Sequence, residues 1–219
     1  MLDQANMLRF VSVLLVDGPL TLREFMTHEP VPLATIFREV LAYLATRKDA
    51  VVHGAHAVNA YADPERMTAD IDLLATDAAS LASDLRILLS DRFHMAVRVR
   101  EVVPGGYRVF QLREPKNRHL IDLRQVAELP RWRTFDGVQV VEPTALLAMK
   151  VISMVAREGR EKGLTDRLDL HRLLRAFPQL REKHGEVAQR LQALGVPDKT
   201  LVAWQEVVAM PLAAEPDDE

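Results

Sequence analysis

Apolar residues at Leu33, Ile36, Phe37, Val40, Leu41 and Leu44 recur every three or four positions and predict a helix over residues 32–46 with one buried face. Residues 51–53 form a short apolar run stopped by Gly54, which reads as a strand ending in a tight turn, and residues 57–62 begin another helix. A strand follows at 71–74, then a helix over 78–89 with Leu81, Leu85, Leu88 and Leu89 on one side. Residues 95–103 and 107–113 alternate about Pro104-Gly105-Gly106, the pattern of a hairpin. Further strands are expected at 119–124 and 138–141.

After Pro143 the period changes. Residues 144–158, 166–176, 182–194 and 198–210 all read as helices, with no strand pattern among them. Pro143 suits a first helical position, and Gly195-Val196-Pro197 separates the last two helices. The pattern predicts an α/β (α+β) chain: a mixed sheet flanked by helices over residues 1–141, with its core from about 33, then a helical bundle over 142–212 and an acidic tail at 213–219. The apolar stretch 10–16 is far short of the ~20 residues of a membrane span. It lacks the basic region of a signal peptide and reads as a buried helix or strand, so a cytoplasmic protein without a membrane partner is expected.

Composition sharpens this outline. With 219 residues, 48% hydrophobic and 27% charged, the chain is long enough to bury a core and too ordinary for disorder. The absence of cysteine excludes disulfides, thiolate zinc sites and a cysteine nucleophile, so any chemistry must use oxygen or nitrogen groups. The net charge of −3 conceals an asymmetry: −6 over residues 1–85, +6 over 86–133 and −3 over 134–219. A basic segment inside an acidic chain can steer an anionic ligand, or its arginines can simply solvate the outer face of a sheet. Arg98 and Arg100 share a strand face there, with Arg108, Arg113 and Arg118 nearby and Tyr107 and Trp132 interleaved.

Asp70-Ile71-Asp72 in a strand would place two carboxylates on one face, roughly 7 Å apart. Two like charges so placed call for a cation between them. Upstream, the strand–glycine–helix passage at Gly54-Ala55-His56 exposes backbone N–H groups suited to phosphate. Downstream, Asp122 lies in the apolar run Leu120-Ile121-Asp122-Leu123, where an unpaired charge would be expensive. Three strand-borne carboxylates beside a phosphate turn suit two-metal phosphoryl chemistry. In the helical part, Lys150 is the only charge from Ala145 to Ala156; its partner is either an anionic ligand or an internal carboxylate such as Asp166 or Asp169. Arg157, seven residues on, shares its face. His53 and His56, spaced three apart, lack a third ligand for a metal. Residues 19–47 carry 3 Arg against 3 Glu, which excludes a basic DNA-recognition helix there.

Gly54-Ala55-His56-Ala57-Val58 followed by Arg66-Met67-Thr68-Ala69-Asp70-Ile71-Asp72 and the later Asp122 resembles the signature of the polymerase-β-type nucleotidyltransferases. Lys150, Arg157, Lys162 and Asp166-Arg167-Leu168-Asp169-Leu170 are similar to the helical part of stand-alone bacterial members, among them abortive-infection toxins. The resemblance implies transfer of a nucleoside monophosphate from an NTP to a hydroxyl of an RNA end, a protein or a small molecule, with pyrophosphate released. It implies two Mg²⁺ ions on Asp70, Asp72 and Asp122, with Asp122 also taking the acceptor's proton. It assigns the nucleotide to Gly54, Ala55, His56, Arg66, Thr68, Lys150 and Asp166, and it suggests a cognate antitoxin or operon partner. Ala55 departs from the Gly or Ser usual at its position and offers no hydroxyl. The competing reading is a catalytically inactive module of the same fold that binds a nucleotide or a partner protein.

Overall fold

A computed structural model of the chain describes residues 31–63 and 66–211. The apolar stretch 10–16 and the acidic tail lie outside the described residues. The described residues fall into two compact units, one ending at Val141 and the other comprising Tyr61–Asp63 and the residues from Glu142 onward.

The first unit holds α1 (Leu33–Leu44), β1 (Ala50–His53), α2 (Gly54–Tyr61), β2 (Ile71–Ala75) and α3 (Ala78–Phe93). It continues with β3 (Val97–Val103), β4 (Gly106–Gln111), β5 (Arg118–Gln125), β6 (Trp132–Phe135) and β7 (Val138–Val141). The strands form one seven-stranded mixed sheet in the order β3-β4-β5-β2-β1-β7-β6. β1 runs parallel to β7 and β2 parallel to β5, while the remaining neighbours are antiparallel.

Alternation marks one face of β4 and β5 as core, and β1, β2 and β7 are buried on both faces. Val52, Leu73, Val109, Ile121, Leu123 and Val140 are at most 1% exposed. Packed among the core are the apolar faces of α1, through Ile36, Phe37 and Val40, and of α3, through Leu81, Leu85 and Leu89. Each such side chain contributes about 1.5–3 kcal/mol by leaving water. α3 starts where the Asp77 carboxylate accepts the Ser80 N–H at 3.0 Å and stops at His94, whose φ of 50° is left-handed.

Three departures from the alternation pattern are informative. β6 was not visible as a strand; its hairpin with β7 turns at Asp136-Gly137, both at positive φ, as a two-residue Asp-Gly turn requires. α2 begins at Gly54 itself, directly after β1, rather than three residues later. β5 carries an extra residue against β4, where Val109 pairs with Ile121 but Phe110 pairs with His119. This bulge leaves Leu120 and Ile121 consecutively buried.

The second unit is helical among its described residues: α4 (Pro143–Ala156), α5 (Glu161–Ala176), a 3₁₀ turn at Pro178–Leu180, α6 (Glu186–Ala193) and α7 (Asp198–Ala209). α4 is apolar on most sides because it packs against α5, α6 and α7. Trp204 on α7 is fully buried and donates its indole N–H to the Glu182 carbonyl at 3.2 Å. None of the helices among the described residues is long and apolar enough to cross a membrane.

Candidate active site

Strand register assembles the site. Asp72 on β2 is the direct partner of Asp122 on the parallel β5, and of His53 on the antiparallel β1. Asp122 is in turn the partner of Arg108 on β4, which faces Arg100 on β3. Partnered residues share a face, so one row crosses five strands as Arg100, Arg108, Asp122, Asp72 and His53. Neighbouring strands lie about 4.8 Å apart, which sets the two carboxylates side by side on the face opposite Leu73, Ile121 and Leu123. Asp70 precedes β2 by one residue rather than lying in it.

Both flanking carboxylates have basic side-chain partners. Arg108 donates from Nε to Asp122 Oδ2 at 3.0 Å. His119 Nδ1 lies 3.0 Å from Asp70 Oδ2, and its Nε2 lies 3.0 Å from the Ile121 carbonyl oxygen, so each ring nitrogen faces an acceptor. The β5 bulge is what brings His119 to Asp70; its ring also lies against Phe110, with centroids 5.2 Å apart.

The Gly54 turn fits closely beneath Asp72. Gly54 has φ +67°, and a Cβ there would stand 1.9 Å from Asp72 Oδ2. Only the missing side chain lets the carboxylate sit over the start of α2. Ala55, at the next position, is buried, and the left-handed conformation falls on Gly54 instead. His56 is 5% exposed, edge-on to Phe37 with ring centroids 5.1 Å apart, and its Nε2 has no hydrogen-bond partner. Burial pushes its imidazole down to about 4, with the Asp70 carboxylate opposing and Arg66 reinforcing the shift.

The segment leading to β2 is pinned at both ends. Asn59 on α2 donates to the Arg66 carbonyl at 2.8 Å and accepts the Arg66 N–H at 3.2 Å. The Arg66 guanidinium donates to the Met67 carbonyl, and Thr68 donates its hydroxyl to the Asp70 carbonyl at 2.9 Å. Arg66 and Thr68 thus shape the approach to the carboxylates, and Asn59 belongs with them.

Lys150 and Asp166 come together in the helical unit. Lys150 Nζ donates to Asp166 Oδ1 at 3.0 Å and to Asp169 Oδ2 at 2.7 Å. Asp166 also accepts from Ser153 at 2.8 Å and from Arg157 at 2.9 Å, while Arg172 Nη1 stands 3.6 Å from Asp169. Arg172 also donates to the Ala62 carbonyl at 2.7 Å.

Asn59, Arg108 and His119 were not legible as site residues in the sequence. The Arg108–Asp122 pairing depends on register, and His119 on a bulge; neither leaves a local spacing. For Asn59, a lone amide in an otherwise apolar helix was the available signal.

Among the described residues, no three His, Cys, Asp or Glu side chains converge closely enough to hold a metal ion. In kind, the donors do fit one. All three carboxylates are hard oxygen ligands of the sort Mg²⁺ takes, and the hollow at Gly54 keeps Asp72 at the sheet face.

No protein-family model matches the chain, and no curated protein matches it by sequence. Solved structures match its fold. The Megavirus polyadenylate synthase aligns with a TM-score of 0.52 at 17% identity over 74% of this chain, which spans 38% of that longer protein. A candidate nucleotidyltransferase from H. pylori aligns with a TM-score of 0.52 at 12% identity, over 81% of this chain and 92% of its own. JHP933 from Helicobacter pylori gives a TM-score of 0.50 at 12% identity over 80% and 88%.

Proposed function

We propose that this chain, which has the fold of the polymerase-β-type nucleotidyltransferases, transfers a nucleoside monophosphate from an NTP to an acceptor hydroxyl. The observation that carries the reading is the register of Asp72 with Asp122 on adjacent parallel strands, directly above a side-chain-free Gly54. Asp70, Asp72 and Asp122 would hold the divalent metal, with two Mg²⁺ ions expected. Bound Mg²⁺ supplies positive charge for the phosphates and acidifies the acceptor hydroxyl.

The chain's own groups do the rest. The N–H groups at the start of α2, from Gly54 through Ala55 and His56, cradle phosphate oxygens. Arg66 adds a cation, and Thr68 holds the Asp70 backbone in place. Lys150 and Asp166, expected at the nucleotide, are engaged with Asp169 in an ion-pair cluster inside the helical unit. The acceptor oxygen bonds to the α-phosphorus and its proton passes to Asp122. The bridging bond between the α- and β-phosphates breaks, and pyrophosphate departs with the electron pair. The test is incubation with each α-labelled NTP, Mg²⁺ and cell extract. Asp72→Asn should abolish covalent labelling while leaving the circular-dichroism spectrum unchanged; undiminished labelling by this variant overturns the mechanism.

The partners of the carboxylates favour a second reading. With the Arg108 guanidinium on Asp122 and the His119 ring against Asp70, two of the three carboxylates have protein partners without metal, as a binding module that has given up catalysis would need. Calorimetric titration of NTP separates the readings: binding that is indifferent to Mg²⁺, with no turnover, is the module's signature.

A further inference from the structure

The face that carries Asp72 and Asp122 continues outward over β5, β4 and β3 as a basic surface. Arg100 and Arg108 extend the carboxylate row directly, and the pleat puts Arg98 on β3 and Arg124 on β5 on the same side, two residues from Arg100 and Asp122. All four arginines are exposed. The opposite face of these strands is the buried one, where Val109, Ile121 and Leu123 lie and against which α3 packs. Phe110, half-buried and partnered with Arg98, lies on the arginine side with one flank against the His119 ring. Four guanidiniums with one carboxylate and an aromatic ring therefore share one sheet face that ends at the proposed catalytic row.

We infer that this face binds a single-stranded polynucleotide and delivers its terminal hydroxyl to Asp122, making the acceptor of the proposed transfer a nucleic-acid end. The inference rests on the transferase reading for the fate of the hydroxyl, but not for the binding itself. Guanidiniums fork onto phosphate oxygens while an aromatic ring accepts a base on its face, and together these give binding that tolerates any sequence. The spacing suits an extended strand: Arg98 and Arg100 are separated by about 7 Å along β3, and successive strands step by about 4.8 Å toward the carboxylates. A small neutral acceptor would have no use for the outermost arginines. The transfer balances as before: the terminal oxygen bonds to the α-phosphorus, pyrophosphate leaves with the bridging electron pair, and the hydroxyl proton goes to Asp122.

The test reads binding alone, without NTP or Mg²⁺, by fluorescence anisotropy of labelled 20-nucleotide RNA and DNA single strands of one sequence. Each phosphate contact adds about −0.7 to the slope of log affinity against log salt, so three to four arginines predict a slope of about −2 to −3. Raising salt from 50 to 200 mM should then weaken binding about 20- to 50-fold. Arg98→Thr with Arg100→Thr keeps strand propensity on the edge strand and should remove about 1.4 from the slope. Arg86→Gln, on the exposed side of α3, should leave it unchanged. The RNA and DNA arms tell whether the 2′-hydroxyl is read; binding to either supports the inference. It is overturned by no measurable binding to either strand, by a slope near zero, or by a double variant that binds like the wild type. Labelling of a protein in extract without polynucleotide binding overturns it and spares the transferase reading. Arginine-dependent binding without any nucleotide transfer overturns the transferase reading and spares the binding face.

Discussion

Replacing Lys150 by Met removes an ammonium from a closed, nearly dry cluster. The Lys150, Asp166 and Asp169 side chains are 9%, 4% and 0% exposed, so solvent screening does little to soften the loss. Breaking a buried ion pair by deleting one partner costs roughly 3–5 kcal/mol, because the other charge stays buried. Here Asp166 keeps Ser153 and Arg157, and Asp169 keeps Arg172 at 3.6 Å, which points to the lower end, about 3 kcal/mol. For a chain of this size that corresponds to roughly 6–12 °C in Tm. The chain has 2 tryptophans, one in each unit, so a Trp132→Phe background leaves the buried Trp204 as a reporter of the helical unit. Urea unfolding followed by Trp204 fluorescence gives the stability change directly. Adding Asp169→Asn to Lys150→Met should recover about 1–2 kcal/mol, since the orphaned charge is gone, and the pair should be strongly non-additive. A loss below about 1 kcal/mol for Lys150→Met, or additive single variants, would refute the account of the cluster as an ion-pair scaffold.

Gly54→Ala should cost about 1–2 kcal/mol for the left-handed backbone and, by pushing Asp72 aside, lower label transfer at least 100-fold. Gly159→Ala, at φ +72° with nothing within 4 Å of its Cβ, carries the backbone cost alone and should leave transfer intact. Equal transfer by both variants contradicts the packing argument. His56 titrates at about 4 when folded, against an ordinary value near 6.5, so the unfolded chain binds the extra proton over that window. Its contribution to stability is complete above about pH 6.5 and is lost as pH falls toward 4, by about 3 kcal/mol. His56→Phe should flatten that part of the pH–stability curve, and a curve identical to wild type would count against the burial argument.

Much of this was local enough to be legible along the chain. The three-and-four spacing from Leu33 to Leu44 is the helix α1, and the alternation about Pro104-Gly105-Gly106 is the β3–β4 hairpin. The Gly54 turn and the apolar flanks of Asp72 and Asp122 mark the candidate site that the strand register brings together. β6 leaves no periodic signal because Trp132–Phe135 is mostly exposed and too short to show a period; the Asp136-Gly137 turn after it is the usable signal. Lys150 was visible as a lone charge in an apolar helix, but its choice among anionic ligand, Asp166 and Asp169 was not.

By itself the sequence determined most of the helices and strands, β6 excepted, and the apolar side of the periodic ones. Those properties follow from backbone geometry and the chemistry of residues only a few positions apart. The tertiary structure decided which carboxylates meet. Asp72 and Asp122 are fifty residues apart and become neighbours only through a parallel pairing of β2 with β5. One extra residue in β5 turned His119 toward Asp70, and one strand step gave Asp122 to Arg108. Register and bulges are fixed by the collective packing of a whole sheet face, so no local window of residues carries them.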